Sequence, residues 1–170
     1  MYALITQNNE ISEIGELQKL FPNEPNPTAS YASQNGAKEI IDGNQEDQRF
    51  YNVVFASYSV GETYVTRNYV NTPKALEDVT ETPVGATEPV TTNGLKSNYI
   101  AQFKQTANSM LAQTDWMVIR KAERNVDIPS SVATYRASVV AKATELETAI
   151  TAVTTVEQLI ALDLSFPSDK

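Results

Sequence analysis

The chain contains no cysteine and no histidine, and these two absences exclude more functions than any residue present. Without cysteine there is no disulfide framework and no thiol chemistry, as expected for synthesis in a reducing compartment. Without either residue, zinc and most transition-metal sites lose their usual ligands. Ser-His and Cys-His nucleophilic catalysis is excluded. So is the side chain that ordinarily moves protons near neutral pH. An enzyme built on this sequence would have to work with carboxylates, lysines, tyrosines and hydroxyls. The expectation is a non-enzymatic protein with no cofactor and no metal.

Basic residues are scarce as well. Thirteen Lys and Arg face 21 Asp and Glu, a net charge of −8 over 170 residues. That balance argues against binding a nucleic-acid backbone, which needs clustered Lys and Arg. It equally argues against adsorption to anionic lipid. No apolar run is long enough to span a bilayer. The segment 1–6 lacks the basic opening and long apolar stretch of a secretory leader. Only six glycines occur, scattered, and none forms a phosphate-cradling loop. Apolar residues make up 41%, enough for one ordinary domain or two small ones.

The charge and the sequence texture change together near residue 94. Residues 1–93 carry 13 acidic and 5 basic side chains, whereas residues 94–170 carry 8 of each. Between them the segment 80–93 is rich in Thr and Pro and reads as an extended linker. The expected architecture is α+β: a small antiparallel β-rich domain over 1–79, that linker, and a helical domain over 94–170.

In the first half, 2–6 and 11–14 flank a polar turn and predict a hairpin. Three prolines within 22–27 predict an irregular loop. Thr28 to Asn35 suits a short helix stopped by Gly36. The aromatic and β-branched runs 48–59 and 63–70, separated by Gly61, predict a second hairpin. In the second half, apolar spacings of three and four predict a helix over 95–113 and a second helical segment over 116–124. A long helix to about Val153 should be capped by Ser130 or Ser131, and a capping box at Thr154-Thr155-Val156-Glu157 should start a last short helix.

Few residues suggest a site. Asp42, Asn44 and Glu46 alternate as in the start of a calcium loop, but Asp47 and Val53 stand where such a loop needs glycine and a bidentate glutamate. A solvated turn is the better reading. Glu77-Asp78 and the Glu145/Glu147 pair are too close in sequence to face each other across a reacting atom. Trp116, the only tryptophan, reads first as a core or interdomain anchor and second as a binding centre. Arg120, Lys121 and Arg124 beside it either compensate a helix C-terminus or meet an acidic partner surface.

The run Leu111-Ala112-Gln113-Thr114-Asp115-Trp116, followed by Thr134-Tyr135-Arg136, resembles the phage tail assembly chaperone family, over about residues 95–165. The opening Met1-Tyr2-Ala3-Leu4-Ile5, Asn9-Glu10-Ile11 and 17–22 is similar to the β module often fused to such domains. The resemblance implies no catalytic residues. It implies protein–protein binding to phage tail or tail-fibre proteins, in the host cytoplasm during assembly. A structural component of the virion tail, such as a baseplate or fibre-adaptor protein, is the alternative, and a homo-oligomer fits either role. The residues that combine aromatic area with fixed donors are Trp116, Arg120, Arg124, Tyr135 and Arg136, and they are the expected partner-binding set.

Overall fold

The computed structural model describes residues 1–167. It comprises two compact units, Met1–Pro73 and a second beginning at Lys74. The fold is α+β, with the strands concentrated in the first unit and the helices in the second.

The first unit is a five-stranded sheet in the order β2-β1-β3-β5-β4. Strands β1 (Tyr2–Ile5) and β2 (Ile11–Gly15) form the expected hairpin. Its polar turn places Asn9 in the left-handed region at φ 62°, a conformation Asn tolerates better than most residues. A single helical turn, α1 (Leu17–Leu20), follows. Helix α2 (Ala29–Gln34) is capped by the Thr28 hydroxyl, which accepts from the Tyr31 N–H at 3.2 Å. Gly36 then leaves the helix at φ 78°, where a side chain would be strained.

Strand β3 (Ala37–Asp42) was not expected, because Lys38, Glu39 and Asp42 dilute its β signal. It pairs antiparallel with β1 and parallel with β5 (Tyr64–Pro73). The sheet is therefore mixed rather than antiparallel throughout. The cause is topological: the connection after β3 carries β4 (Tyr51–Val60) one strand position too far, and the β4–β5 hairpin folds β5 back into the gap.

Within that hairpin the register slips between Phe55 and Ser57, leaving Ala56 as an extra residue. The bulge resets the pleat, so Tyr51, Val53, Phe55, Tyr58 and Val60 all lie opposite odd-numbered β5 residues and share a face. On that face the Phe55 and Tyr58 rings approach to 4.9 Å. The Tyr69 hydroxyl donates to Asp42 at 2.7 Å, and Arg67 lies 3.3 Å from the same carboxylate.

The second unit opens with a surprise in the stretch 80–93, which reads as a linker by composition. Strands β6 (Val79–Glu81) and β7 (Val90–Thr92) pair antiparallel there. Pro83 and Pro89 fall outside the paired residues, where their missing N–H costs nothing, and the Thr80 and Thr91 hydroxyls bond at 2.8 Å. The compact-unit boundary consequently falls after Pro73 and not at 79.

The ribbon delivers the chain to α3 (Leu95–Ala112). The first N–H groups of that helix, which have no intrahelical partner, are met from the ribbon side. Leu95 donates to the Ala75 carbonyl at 2.9 Å, Lys96 to Leu76 at 3.0 Å, and Gly94 to the Asp78 carboxylate at 2.7 Å.

Helix α3 packs against α5 (Ser130–Ala152). Leu95, Phe103 and Ala107 are buried on one, Val139, Leu146 and Ile150 on the other, at the spacings an amphipathic stripe requires. Burial of each large side chain is worth about 1.5–3 kcal/mol. Lys104 and Glu147 bridge the two helices at 2.6 Å. Pro129, not Ser130 or Ser131, occupies the cap position of α5, with no side-chain capping bond. Along α5 the hydroxyls of Thr144, Thr148 and Thr151 each donate to the carbonyl four residues earlier.

The capping box of α6 (Val156–Ile160) lies one residue later than expected. Thr155 accepts from the Gln158 N–H, and the Gln158 side chain accepts from the Thr154 N–H at 2.7 Å. Val153, Val156 and Leu159 complete the buried set.

Gly94 is required by space. A Cβ there would collide with the backbone of Glu77 and the Leu76 carbonyl. Gly94→Ala is expected to cost about 1–3 kcal/mol by overpacking, read as a lower urea midpoint for loss of helical circular dichroism.

The Asp78 carboxyl is held below its ordinary value of 3.8, first by the Gly94 N–H and then by the Ser97 hydroxyl. Because the folded value is the lower one, the bond stabilises the fold above the unfolded value, and that contribution is lost as pH falls through the folded value. An NMR titration of the Asp78 carboxyl should give a midpoint below 3.8; a midpoint at or above it would remove the carboxylate from the start of α3.

Candidate partner-binding site

Helix α3 ends at Ala112, and α4 (Asp115–Arg124) begins after two intervening residues. The break is held from a distance by Arg136 on α5. One guanidinium nitrogen of Arg136 donates to the Leu111 carbonyl and to the Thr114 hydroxyl, both at 2.7 Å. The other lies 2.9 Å from the Asp115 carboxylate. A single planar cation thus meets a C-terminal carbonyl of α3, the residue before α4, and the acidic first turn of α4. The Thr114 hydroxyl also donates to Leu111, at 3.1 Å. At its far end α4 stops at Asn125, left-handed at φ 51°, whose N–H bonds the Lys121 carbonyl. Lys121 reaches the Asn125 side chain and Asp127, and holds the Asp127 carboxyl below its ordinary range by that bond and its charge.

Between these two fixed ends α4 buries no residue. Trp116 is 52% exposed and Ile119 55%, so Trp116 is not a core residue of the helical unit. The Arg120 guanidinium stacks over the Trp116 indole, 4.8 Å from the ring centre, as the spacing of four residues allows. The Arg120 Nε is buried and has no hydrogen-bond partner. Trp116, Ile119, Arg120, Glu123 and Arg124 together line a shallow depression of about 350 Å³. These positions recur every three or four residues and form one face of a single helix.

The expected partner-binding set therefore divides. Trp116, Arg120 and Arg124 share the exposed α4 face, whereas Arg136 is turned into the α3–α4 junction with its side chain only 20% exposed. Tyr135 is half-buried on α5 and does not line the depression. Ile119 and Glu123 were missed, although the helical period from Trp116 reaches both.

The other acidic stretch is engaged within its own unit. Asp42 accepts from Tyr69, Asn44 donates to Glu46 at 2.9 Å, and the Asn71 side chain bonds the Asn44 carbonyl and the Glu46 N–H. Glu147 pairs with Lys104 and Glu145 with Lys142. No family model, curated protein or solved structure matches this chain.

The contrast between two residues of the set is measurable. Arg136→Ala strips partners from a carbonyl, a hydroxyl and a carboxylate, and is expected to cost about 2 kcal/mol, the scale of charge-assisted bonds. Trp116→Ala removes an exposed side chain and one stacking contact, and is expected to cost about 1 kcal/mol or less. Urea unfolding of the two variants ranks them; the reverse order would place Trp116 in the core.

Proposed function

We propose that this chain is a non-enzymatic phage tail protein that works as an assembly chaperone, holding a tail or tail-fibre protein on the exposed face of α4. The observation that carries this reading is a helix fixed at both ends yet without a buried residue along its length. Apolar area on such a helix is available to a partner, and Trp and Arg are both enriched at the energetic centres of interfaces. Arg120 and Arg124 supply donors for a carboxylate-bearing partner, while the net charge of −8 keeps the unbound chain from associating non-specifically. The family is suggested by the Thr-Asp-Trp and Tyr-Arg steps. In this fold they have a physical connection, because Arg136 grips Thr114 and Asp115 beside Trp116.

Arg120→Ala combined with Arg124→Ala should leave folding nearly unchanged, because Arg124 is exposed, Arg120 is only half-buried and the helix buries no residue. Tagged protein expressed during infection should co-purify with tail proteins, and the double variant should lose them. Retention of tail proteins by a folded double variant would move the site off α4. Recovery of none by the parent chain would remove the tail assignment. Mass spectrometry of purified virions then separates a transient chaperone, absent from particles, from a retained tail component.

A further inference from the structure

Two arginines of α4 stand apart from the rest. Arg49, Arg67 and Arg136 each lie within 3.3 Å of a carboxylate. Arg120 and Arg124 meet none among the described residues, and neither makes a hydrogen bond there. Acidic side chains are in surplus, at a net charge of −8, so carboxylates are not what is lacking. The other cation of the helix is taken up, since Lys121 pairs with Asp127, and Asp115 is held by Arg136. Glu123 is three residues from Arg120 and adjacent to Arg124, yet pairs with neither. Arg120 has the Trp116 ring instead, and its Nε is buried with no hydrogen-bond partner. A buried donor left unmet in a folded chain points to a partner that the chain itself does not supply.

The face also restricts what that partner is. Trp116, Arg120 and Arg124 form one ladder at steps of four, and Ile119 and Glu123 form the ladder beside it. Arg120 and Arg124 are one turn apart, about 6 Å along the helix axis. Their match is a pair of carboxylates at the same separation, next to an apolar side chain that meets Trp116 and Ile119. All five residues lie on one side of a single helix, so a small dicarboxylate would stay mostly in water, unlike the ligand of an enclosing pocket. Nucleic acid would meet the repulsion of the whole negative chain. The sides of a helix offer no free backbone groups. An extended segment laid there would give up water at its own N–H and C=O groups and find no partner for them. A helical segment brings that pairing with it and packs its side-chain ridges into the grooves of α4.

We infer that the segment held by α4 is an acidic amphipathic helix, with two carboxylates four residues apart set against Arg120 and Arg124 and an apolar residue set against Trp116 and Ile119. The assignment rests on the reading of α4 as the docking face and names the chemistry of what docks. Glu123 repels a carboxylate placed on its own ladder, so the acids of the partner must lie in one row and not all around it. The attraction is electrostatic and is screened by salt.

The probe is a synthetic helical peptide without tryptophan, with leucines on one face followed on that face by two glutamates four residues apart. Trp116 is the only tryptophan of the chain, so its emission reports from the face itself. Titrating the peptide into the full chain should shift that emission to the blue and protect it from acrylamide. Replacing both glutamates by glutamine, or moving them to the opposite face, should weaken binding by about tenfold or more. High salt should weaken it as well. Arg120→Glu with Arg124→Glu should lose the glutamate peptide and take up the same peptide with lysines in place of the glutamates. Equal binding of the glutamine or opposite-face peptide overturns the inference, and so does no binding of the glutamate peptide. Binding that leaves Trp116 open to acrylamide overturns it, because the peptide then sits elsewhere. So does a parent chain whose Trp116 is shielded before any peptide is added, by a second copy where the shielding falls on dilution. If the charge-swapped variant does not fold, the peptide series on the parent chain decides. Tail proteins captured through Arg120 and Arg124 by a chain that ignores the glutamate peptide would remove the acidic helix and leave the docking face. Peptide binding with no tail protein recovered would remove the tail assignment and leave the acidic helix.

Discussion

The helical unit depends on one contact, the packing of α3 on α5. Phe103 and Ala107 on the first, and Val139, Leu146 and Ile150 on the second, are among the buried side chains of this unit. Everything else there is arranged relative to that pair. The ribbon 79–92 closes the N-terminus of α3, α6 returns Val156 and Leu159 to the buried set, and Arg136 reaches from α5 to the far end of α3. A loss in the α3–α5 contact would therefore reach α4 too, because the residue that places α4 is anchored on α5.

This dependence gives α4 an unusual standing. Most helices of globular proteins owe their stability to an apolar face packed on a core, and isolated helices of about ten residues are marginal in water. α4 is ten residues long and buries none of them. Its ends do the work instead: a guanidinium and an acidic first turn at one, a left-handed Asn and a lysine network at the other. A face that mixes Trp116 and Ile119 with Arg120, Glu123 and Arg124 is thus held in place by its ends and not by burial.

Much of the fold is legible in the sequence where one periodicity runs unbroken. The runs containing Phe55 and Tyr69 alternate as strands, and Leu95, Phe103 and Ala107 recur as a helix face. Legibility fails where signals mix. β3 carries Lys38, Glu39 and Asp42 among its six residues, and β6 and β7 are flanked by the prolines of their own turn. The parallel β3–β5 pairing depends on which strand slot the chain skips, and no local pattern records that. At the candidate site, the helical spacing around Trp116 reveals that α4 has an apolar face, but not whether anything covers it. The bonds of Arg136 are illegible for a related reason: next to Tyr135 it looks like part of a surface patch, while its hydrogen-bond partners lie 22 and 25 residues away.

The threonines of α5 alter how its outer surface meets water. Thr144, Thr148 and Thr151 each turn their hydroxyl back to a carbonyl of their own helix, which leaves the γ-methyl as the group directed outward. A stripe that any hydropathy scale scores as polar is thus partly a row of methyl groups. Wetting of this face is governed by rotamer as much as by composition. Valine at these positions would keep the shape while replacing each back-bonded hydroxyl by a second methyl, whereas serine would remove the methyl row. Two substitutions of similar size would then change the wetting of the same surface in opposite senses.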